Sequence, residues 1–327
     1  MKFLQEPFFL GDLELPNNIF YAPLAGCSDL PFRQMSRMYH PSLIFCEMVK
    51  MDALIRNDIN TLHILDYEAS MHPIGGQIVG SNPAIAGQAA KIIEDLGFDT
   101  VDLNCGCPVD KVTKDGSGSA MLKTPLRIGD VLAEMVASVK IPVTLKIRSG
   151  WDDFLINAPE ITRIAEDAGA KAITIHGRTR MQAYRGKANW DWIKECKERS
   201  RTIKVIGNGD IFDSDCAGNI FEQTFCDAIL VSRGTMGQPW IAEDICRKLK
   251  GEVLPVRSLK ESRDALLKHF SHSLSYYSEK KALIDIRKLA CWYFKKDKNA
   301  RNFRQEIAKV SSKKDAYAII EKFWGDL

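Results

Sequence analysis

The sequence has no apolar run approaching the ~18 residues that would span a bilayer. It also has no low-complexity tract, no repeat beyond an alternation of strands and helices, and no glycine fingerprint for a resident dinucleotide. A membrane-embedded, fibrous or disordered chain is therefore not expected. Its nine cysteines are odd in number and lack framework spacing, in a chain long enough to bury a core without staples. Reduced thiols in a cytoplasmic setting are the expectation. Cys105 and Cys107 are close together, but no second cysteine pair has ligand spacing, so no metal is expected. The N-terminal residues reach Glu6 and Pro7 too early for a secretory signal.

What is present is ordinary in amount and uneven in arrangement. The chain of 327 residues is 45% hydrophobic and 27% charged, with a net charge of only +3. Residues 251–327 carry 17 Lys and Arg against 10 Asp and Glu, whereas the first 250 carry 28 against 32. A mildly acidic body with a basic tail suggests that the tail grips a polyanion.

Eight short apolar runs recur through the body, at 19–22, 43–46, 74–79, 100–103, 143–147, 172–175, 204–206 and 228–231. Near-continuous Val, Ile and Leu suit strands buried on both faces, as in a parallel sheet. Helices are predicted over 83–96, 127–139, 159–168 and 190–199, with Gly97 and Gly169 as stops. Eight such units over ~235 residues predict an α/β TIM barrel. The tail has only helical periodicity, at 259–277, 281–294, 300–310 and 313–323, and reads as a small helical bundle beyond a linker at 252–255. Two domains, 1–250 and 251–327, are expected.

Nearly every strand ends in residues that a packed core would not choose, where a barrel places its chemistry. Pro23-Leu24-Ala25-Gly26 follows the first, Glu47 closes the second, and Gln77 lies in the third. Asn104-Cys105-Gly106-Cys107-Pro108 closes the fourth, Lys146 and Arg148 the fifth, and His176-Gly177-Arg178 the sixth. Asn208-Gly209-Asp210 and Ser232-Arg233-Gly234 close the last two, where barrels frequently hold a phosphate on backbone N–H groups. A lysine inside a barrel carries a large desolvation cost, so Lys146 calls for an anion. Cys107 is expected in the mouth, with Cys27 and Cys46 nearby. Cys105 and the remaining cysteines are expected to be packing residues.

These motifs, in this order, resemble those of the tRNA-dihydrouridine synthases. The resemblance runs from about 15 to 245 through Tyr21–Asp29, Asp102–Pro108 with Lys111-Val112, and Lys146–Trp151. It continues through His176–Arg180, Asn208–Asp210 and Ser232–Trp240, with a fainter echo at Arg287-Lys288 and Trp292–Lys295. It implies an FMN-bound barrel and a helical C-terminal domain that holds tRNA, with NADPH, or NADH, as reductant. Pro23, Leu24 and Ala25 would line the flavin. Gln77, Lys146 and His176 would contact it, and Asn208, Gly209, Asp210, Ser232 and Arg233 would hold its ribityl phosphate. Asn104, Lys111 and Arg178 would face the uridine. Leu24 departs from the family's common methionine, a change of similar volume, and Ser232 from a frequent glycine.

By the same resemblance, flavin N5 would deliver a hydride to uracil C6 and Cys107 a proton to C5. Lys146 would stabilise a reduced, anionic isoalloxazine. Arg287, Lys288, Lys295, Lys296, Lys298, Arg301 and Arg304 are the expected tRNA grip, with the interleaved Trp292, Tyr293 and Phe294 in the bundle core. A monomer is expected. Two rivals predict other outcomes: an FMN barrel for a small molecule, of dihydroorotate or ene-reductase type, has no use for a basic tail. A catalytically silent RNA-binding module would purify colourless.

Overall fold

The structure is a computed structural model that describes residues 3–295 and 297–324, so Lys296 of the expected grip lies outside the described residues. Eight parallel strands form the barrel: β1 (Ile19–Tyr21), β2 (Ile44–Phe45), β3 (Ile74–Val79), β4 (Thr100–Cys105), β5 (Val143–Arg148), β6 (Ala172–His176), β7 (Lys204–Asn208) and β8 (Ala228–Val231). Each pairs with its chain neighbour from β2 through to β8, and β8 pairs with β1. A parallel bridge between Phe20 and Leu43 closes the ring.

The longer helices of this part are α1 (Leu30–Arg37), α2 (Pro83–Asp95), α3 (Pro125–Ser138), α4 (Ala158–Asp167), α5 (Asp191–Arg199), α6 (Ser214–Thr224) and α7 (Ile241–Lys250). Their starts follow local chemistry. Asp29, Asn82 and Asp213 accept the first orphan N–H groups of α1, α2 and α6, and prolines open α2 and α3 where no N–H is needed.

The two faces of each strand serve different cores. Val101, Leu103, Leu145, Ile147, Ile173, Ile175, Val205, Ile229 and Val231 point outward into the layer shared with the helices. Phe20, Phe45, Ala172, Ile206, Ala228 and Leu230 point inward. A hairpin that the strand pattern did not announce, Phe8–Leu10 paired with Leu13–Leu15, adds Phe8, Leu10 and Leu15 to that inner cluster and stoppers one end of the barrel.

After Lys250 the chain is helical: α8 (Leu259–Tyr276), α9 (Glu279–Tyr293), α10 (Ala300–Ile307) and α11 (Lys313–Trp324). A Ser258–Glu261 capping box starts α8. The bundle buries Phe270, Ile286, Phe303, Ile320 and Trp324, together with Tyr293 and Phe294, in a core that also takes in Met35 of α1 and Trp240. The contact with the barrel is close. Gly237 has φ +74° and lies where a Cβ would sit 2.1 Å from the Trp292 carbonyl oxygen. The Tyr277 hydroxyl donates to Asp29 Oδ2 at 3.1 Å, and that of Tyr276 to Asp66 Oδ2 at 2.8 Å.

Candidate active site

Above the apolar inner layer the barrel interior turns polar, and a cavity of about 390 Å³ opens at the C-terminal ends of the strands. It is lined by Pro23, Leu24 and Ala25, by Gln77, Asn104, Cys107 and Lys146, and by His176, Asn208, Gly209, Asp210, Ser232 and Arg233. Residues separated by more than two hundred positions therefore meet in one place.

The seventh and eighth ends build a turn around backbone N–H groups. Asn208 donates to the Leu230 carbonyl at 2.6 Å and to Ser232 Oγ at 2.9 Å, tying the two loops together. Gly209 has φ +114°, and a Cβ there would meet His176 Cδ2 and Ala188 Cβ at 2.9 Å, so only glycine fits. Arg233 opens a single 3₁₀ turn, lies 3.5 Å from Asp210 Oδ1, and rests against the rings of Tyr184 and Phe212.

Positive charge dominates the cavity. Lys146 makes no hydrogen bond among the described residues, and burial, reinforced by the nearby Arg148, pulls its ammonium down to about 8. Burial and the four surrounding cations Lys146, Arg148, Arg178 and Arg233 hold His176 well below the usual imidazole range, so it is neutral at pH 7. Asp210 is the counter-charge. Its carboxyl is held below the usual range by hydrogen bonds from Arg178 and the Ala188 N–H, against the upward pull of burial.

The thiol loop hangs from an ordered set of side chains. Asn104 Oδ1 accepts from the N–H groups of Gly106 and Cys107, at 3.0 and 2.9 Å. Asn104 Nδ2 donates to Gln77 Oε1 at 2.9 Å, and Gln77 Nε2 donates to Asp102 Oδ2 at 2.7 Å. Thr144 Oγ1 donates to Asp102 Oδ1 at 2.6 Å. Burial pushes the Asp102 carboxyl up to about 6 against these two hydrogen bonds. Sequence reasoning passed over Asp102 because it sits inside an apolar run. Its signal was that a lone carboxylate in such a run needs partners.

Tyr184 was missed as a site residue, and Arg148, read only as a strand-end residue, was given no role, although both line the cavity. Arg148 donates to the carbonyls of Gly106, Thr179 and Ala183, joining the thiol loop to the loop after β6. Tyr184, in that long loop, carries no strand-end signature.

Three expected residues stand elsewhere. Arg178 does not line the cavity. Its guanidinium is buried and bound to Asp210 Oδ2 at 2.7 Å and to the carbonyls of Gly186 and Arg185. The Asp210 carboxylate draws it inward, and it ties the loop after β6 to the turn after β7. Lys111 is exposed on a single helical turn, Asp110–Thr113, outside the cavity lining. Cys46 is fully buried behind β2, in the outer core, whereas Cys27 does line the cavity. Cys105 points into that outer core, with its sulfur 3.6 Å from that of Met121.

The basic tail faces this mouth in part. Lys288 Nζ reaches the Gly26 carbonyl at 3.2 Å and Cys27 Sγ at 3.4 Å, and Lys295 Nζ reaches the Met236 carbonyl at 3.2 Å. Arg287 turns into its own bundle and donates to the Val310 carbonyl. Lys298, Arg301 and Arg304 are exposed.

Fold and site together define a parallel α/β barrel with a cationic cavity and a cysteine at its mouth. Residues 20–324 match the family model described as dihydrouridine synthase, and the chain belongs to that family. It is 37% identical over 302 residues to a probable tRNA-dihydrouridine synthase of Rickettsia bellii, covering 91% of this chain and 92% of that one. It is 35% identical to tRNA-dihydrouridine synthase B of Pseudomonas aeruginosa, covering 97% and 96% of the two chains. Among solved structures, histamine dehydrogenase from Rhizobium sp. 4-9 superposes with a TM-score of 0.59 at 15% identity, over 82% of this chain and 50% of that one. A 2-naphthoyl-CoA reductase superposes with a TM-score of 0.56 at 11% identity, over 75% and 52%. These last two show a shared barrel, and the chain spans about half the length of each.

Proposed function

We propose that this chain reduces a uridine of tRNA to 5,6-dihydrouridine, with FMN held in the mouth cavity and NADPH, or NADH, as electron donor. Residues 1–250 would be the FMN-binding catalytic domain and 251–327 the tRNA-binding domain of a monomer. The observation that carries the reading is that Cys107 and Lys146, which makes no hydrogen bond among the described residues, line the same cavity as the Asn208–Asp210 and Ser232–Gly234 turns.

The cavity suits the cofactor chemically. Pro23, Leu24 and Ala25 offer a flat apolar wall, and Lys146 offers a positive charge for an anionic ring. The turns at Gly209 and Gly234 offer N–H groups and the Arg233 guanidinium to a phosphate. Bound there, the flavin would supply the hydride that adds to uracil C6 from its N5.

The chain's own residues supply the rest. Saturating the 5,6 bond leaves C5 in need of a proton, which Cys107 gives from its thiol at the cavity mouth. The N–H groups that Asn104 holds at Gly106 and Cys107 fix where that thiol stands. The neutral imidazole of His176 adds no further positive charge to a wall already crowded with it. A uridine must leave its stack to enter the mouth, as base-modifying enzymes require. The tail lysines and arginines hold the backbone without reading sequence.

The test is uridine reduction in unmodified tRNA with NADPH, comparing wild type with Cys107→Ala. Both proteins should be yellow and oxidise NADPH, and only wild type should form dihydrouridine at an appreciable rate. A yellow wild type that oxidises NADPH but never reduces tRNA would overturn the reading in favour of a small-molecule substrate.

A further inference from the structure

Asp102 lies beneath the mouth cavity without lining it, beside a small internal void shared with Thr144, Thr174 and Lys146. Gln77, Asp102 and Thr144 are register neighbours on β3, β4 and β5, so their side chains share one inward layer. Two primary amides then connect this carboxylate to the thiol loop, and a primary amide is nearly symmetrical in shape. Which end carries oxygen is decided only by its partners.

Here both ends of the chain of contacts are fixed. At the upper end, the N–H groups of Gly106 and Cys107 can only donate, so Asn104 must present its oxygen to them. Its nitrogen then faces Gln77, which must answer with oxygen and turn its own nitrogen downward. At the lower end, an ionised carboxylate can only accept, and Asp102 receives that nitrogen. Reading from either end gives the same directions.

We propose that Asp102 is a positioning residue for Cys107: its acceptor-only carboxylate sets the direction of the Gln77 and Asn104 amides and so anchors the N–H groups that hold the thiol loop. The role assigned to Cys107 rests on the uridine-reductase reading, whereas the anchoring itself does not. Thr144 completes the arrangement from the other side, and its hydroxyl can either donate or accept. That property makes the inference testable.

In Asp102→Asn the new amide can keep its oxygen toward Gln77 and donate to Thr144, whose hydroxyl reverses. Relay direction survives, and the turnover rate should stay within about threefold of wild type. In Thr144→Val the carboxylate still accepts from Gln77, and activity should again be near wild type. In the double variant the nitrogen at 102 has only the Gln77 oxygen left to bind. That NH₂ then goes unpaired or reverses the Gln77 amide, and in either arrangement the anchor beneath Asn104 loses its fixed direction. Uridine reduction should then fall by about tenfold or more beyond the product of the single effects, because small misplacements of a reacting group are costly. The KM for tRNA should stay unchanged.

Amide hydrogen exchange at Gly106 and Cys107 provides a readout independent of catalysis. It should quicken in the double variant and stay slow in both single ones. Should the double variant not fold, Asp102→Leu carries the same expectation, since it removes the acceptor outright. Additive effects in the double variant would overturn the inference. So would an Asp102→Asn protein that is inactive with its exchange protection intact, which would make Asp102 a counter-charge to Lys146. A wild-type protein that forms no dihydrouridine sinks the functional reading alone, and the exchange comparison still judges the anchoring.

Discussion

The Lys288 ammonium of α9 lies 3.2 Å from the carbonyl oxygen of Gly26, in the turn that follows β1. A side chain from the basic tail thus touches the rim of the cavity in which the chemistry is placed. The same ammonium lies 5.3 Å from the centroid of Trp292 and contacts Cys27.

Charge reversal away from that rim should separate gripping from chemistry. A combined Lys298→Glu, Arg301→Glu, Arg304→Glu variant alters exposed side chains of the bundle. It should raise the KM for tRNA and leave NADPH oxidation intact. The slope of log affinity against log salt should fall by roughly one for each phosphate that is no longer neutralised. An unchanged salt slope would show that these three side chains touch no phosphate.

Lys146 should be a cost to the cofactor-free protein. Its ammonium titrates near 8 in the fold against 10.5 when unfolded. Between those values the folded state has released a proton that the unfolded state keeps, so stability rises with pH across that window and the full cost is present below it. Lys146→Met should therefore stabilise the apoprotein by about 3 kcal/mol at pH 7, with the gain shrinking as pH rises above 8. Urea unfolding at pH 7 and pH 9.5 checks the sign. FMN binding should weaken in the same variant.

His176 should make the protein acid-sensitive. Its imidazole is neutral in the fold to well below the ordinary 6.5, whereas the unfolded chain takes up a proton there. Stability is therefore fully present above about 6.5 and drains away as pH falls through and below it, at up to about 1.4 kcal/mol per pH unit. His176→Gln removes that proton uptake. Its urea midpoint should fall less than that of wild type between pH 7 and pH 5.5.

Removing Arg178 should damage the site from below. The guanidinium is buried, and Asp210 keeps only partial access to solvent. Arg178→Met leaves that carboxylate without its closest partner, at a cost of about 2–4 kcal/mol by urea unfolding. The turn at Gly209 and Asp210 should loosen with it, so FMN affinity should fall although Arg178 does not line the cavity. A variant that binds FMN as tightly as wild type would show that Asp210 holds its turn alone.

The strands were legible because both of their faces are buried, and the strand ends were legible because polar residues there break an apolar pattern. The N-terminal hairpin was not: Phe8–Leu10 and Leu13–Leu15 are too short to show a period, and their burial depends on the barrel they enter. Asp102 was hidden for a related reason, since its partners Gln77 and Thr144 become neighbours only through strand register. The ion pair of Arg178 with Asp210 was not legible, because a basic residue beside a strand end looks the same in sequence whether it faces a substrate or a carboxylate. Tyr184 enters the cavity from a long loop, and loop paths carry no periodicity to read. The fold followed from patterns within segments, and the parts of the site that depend on contacts between segments did not.

The hairpin that stoppers the barrel also governs traffic. Phe8, Leu10 and Leu15 fill one end of the barrel, and the cavity opens at the other. On the proposed function, a nucleotide reductant and a folded polynucleotide that both react there would have to take turns, each vacating the entrance before the other arrives. Parallel lines in double-reciprocal plots would then be the kinetic imprint of two visitors sharing one threshold.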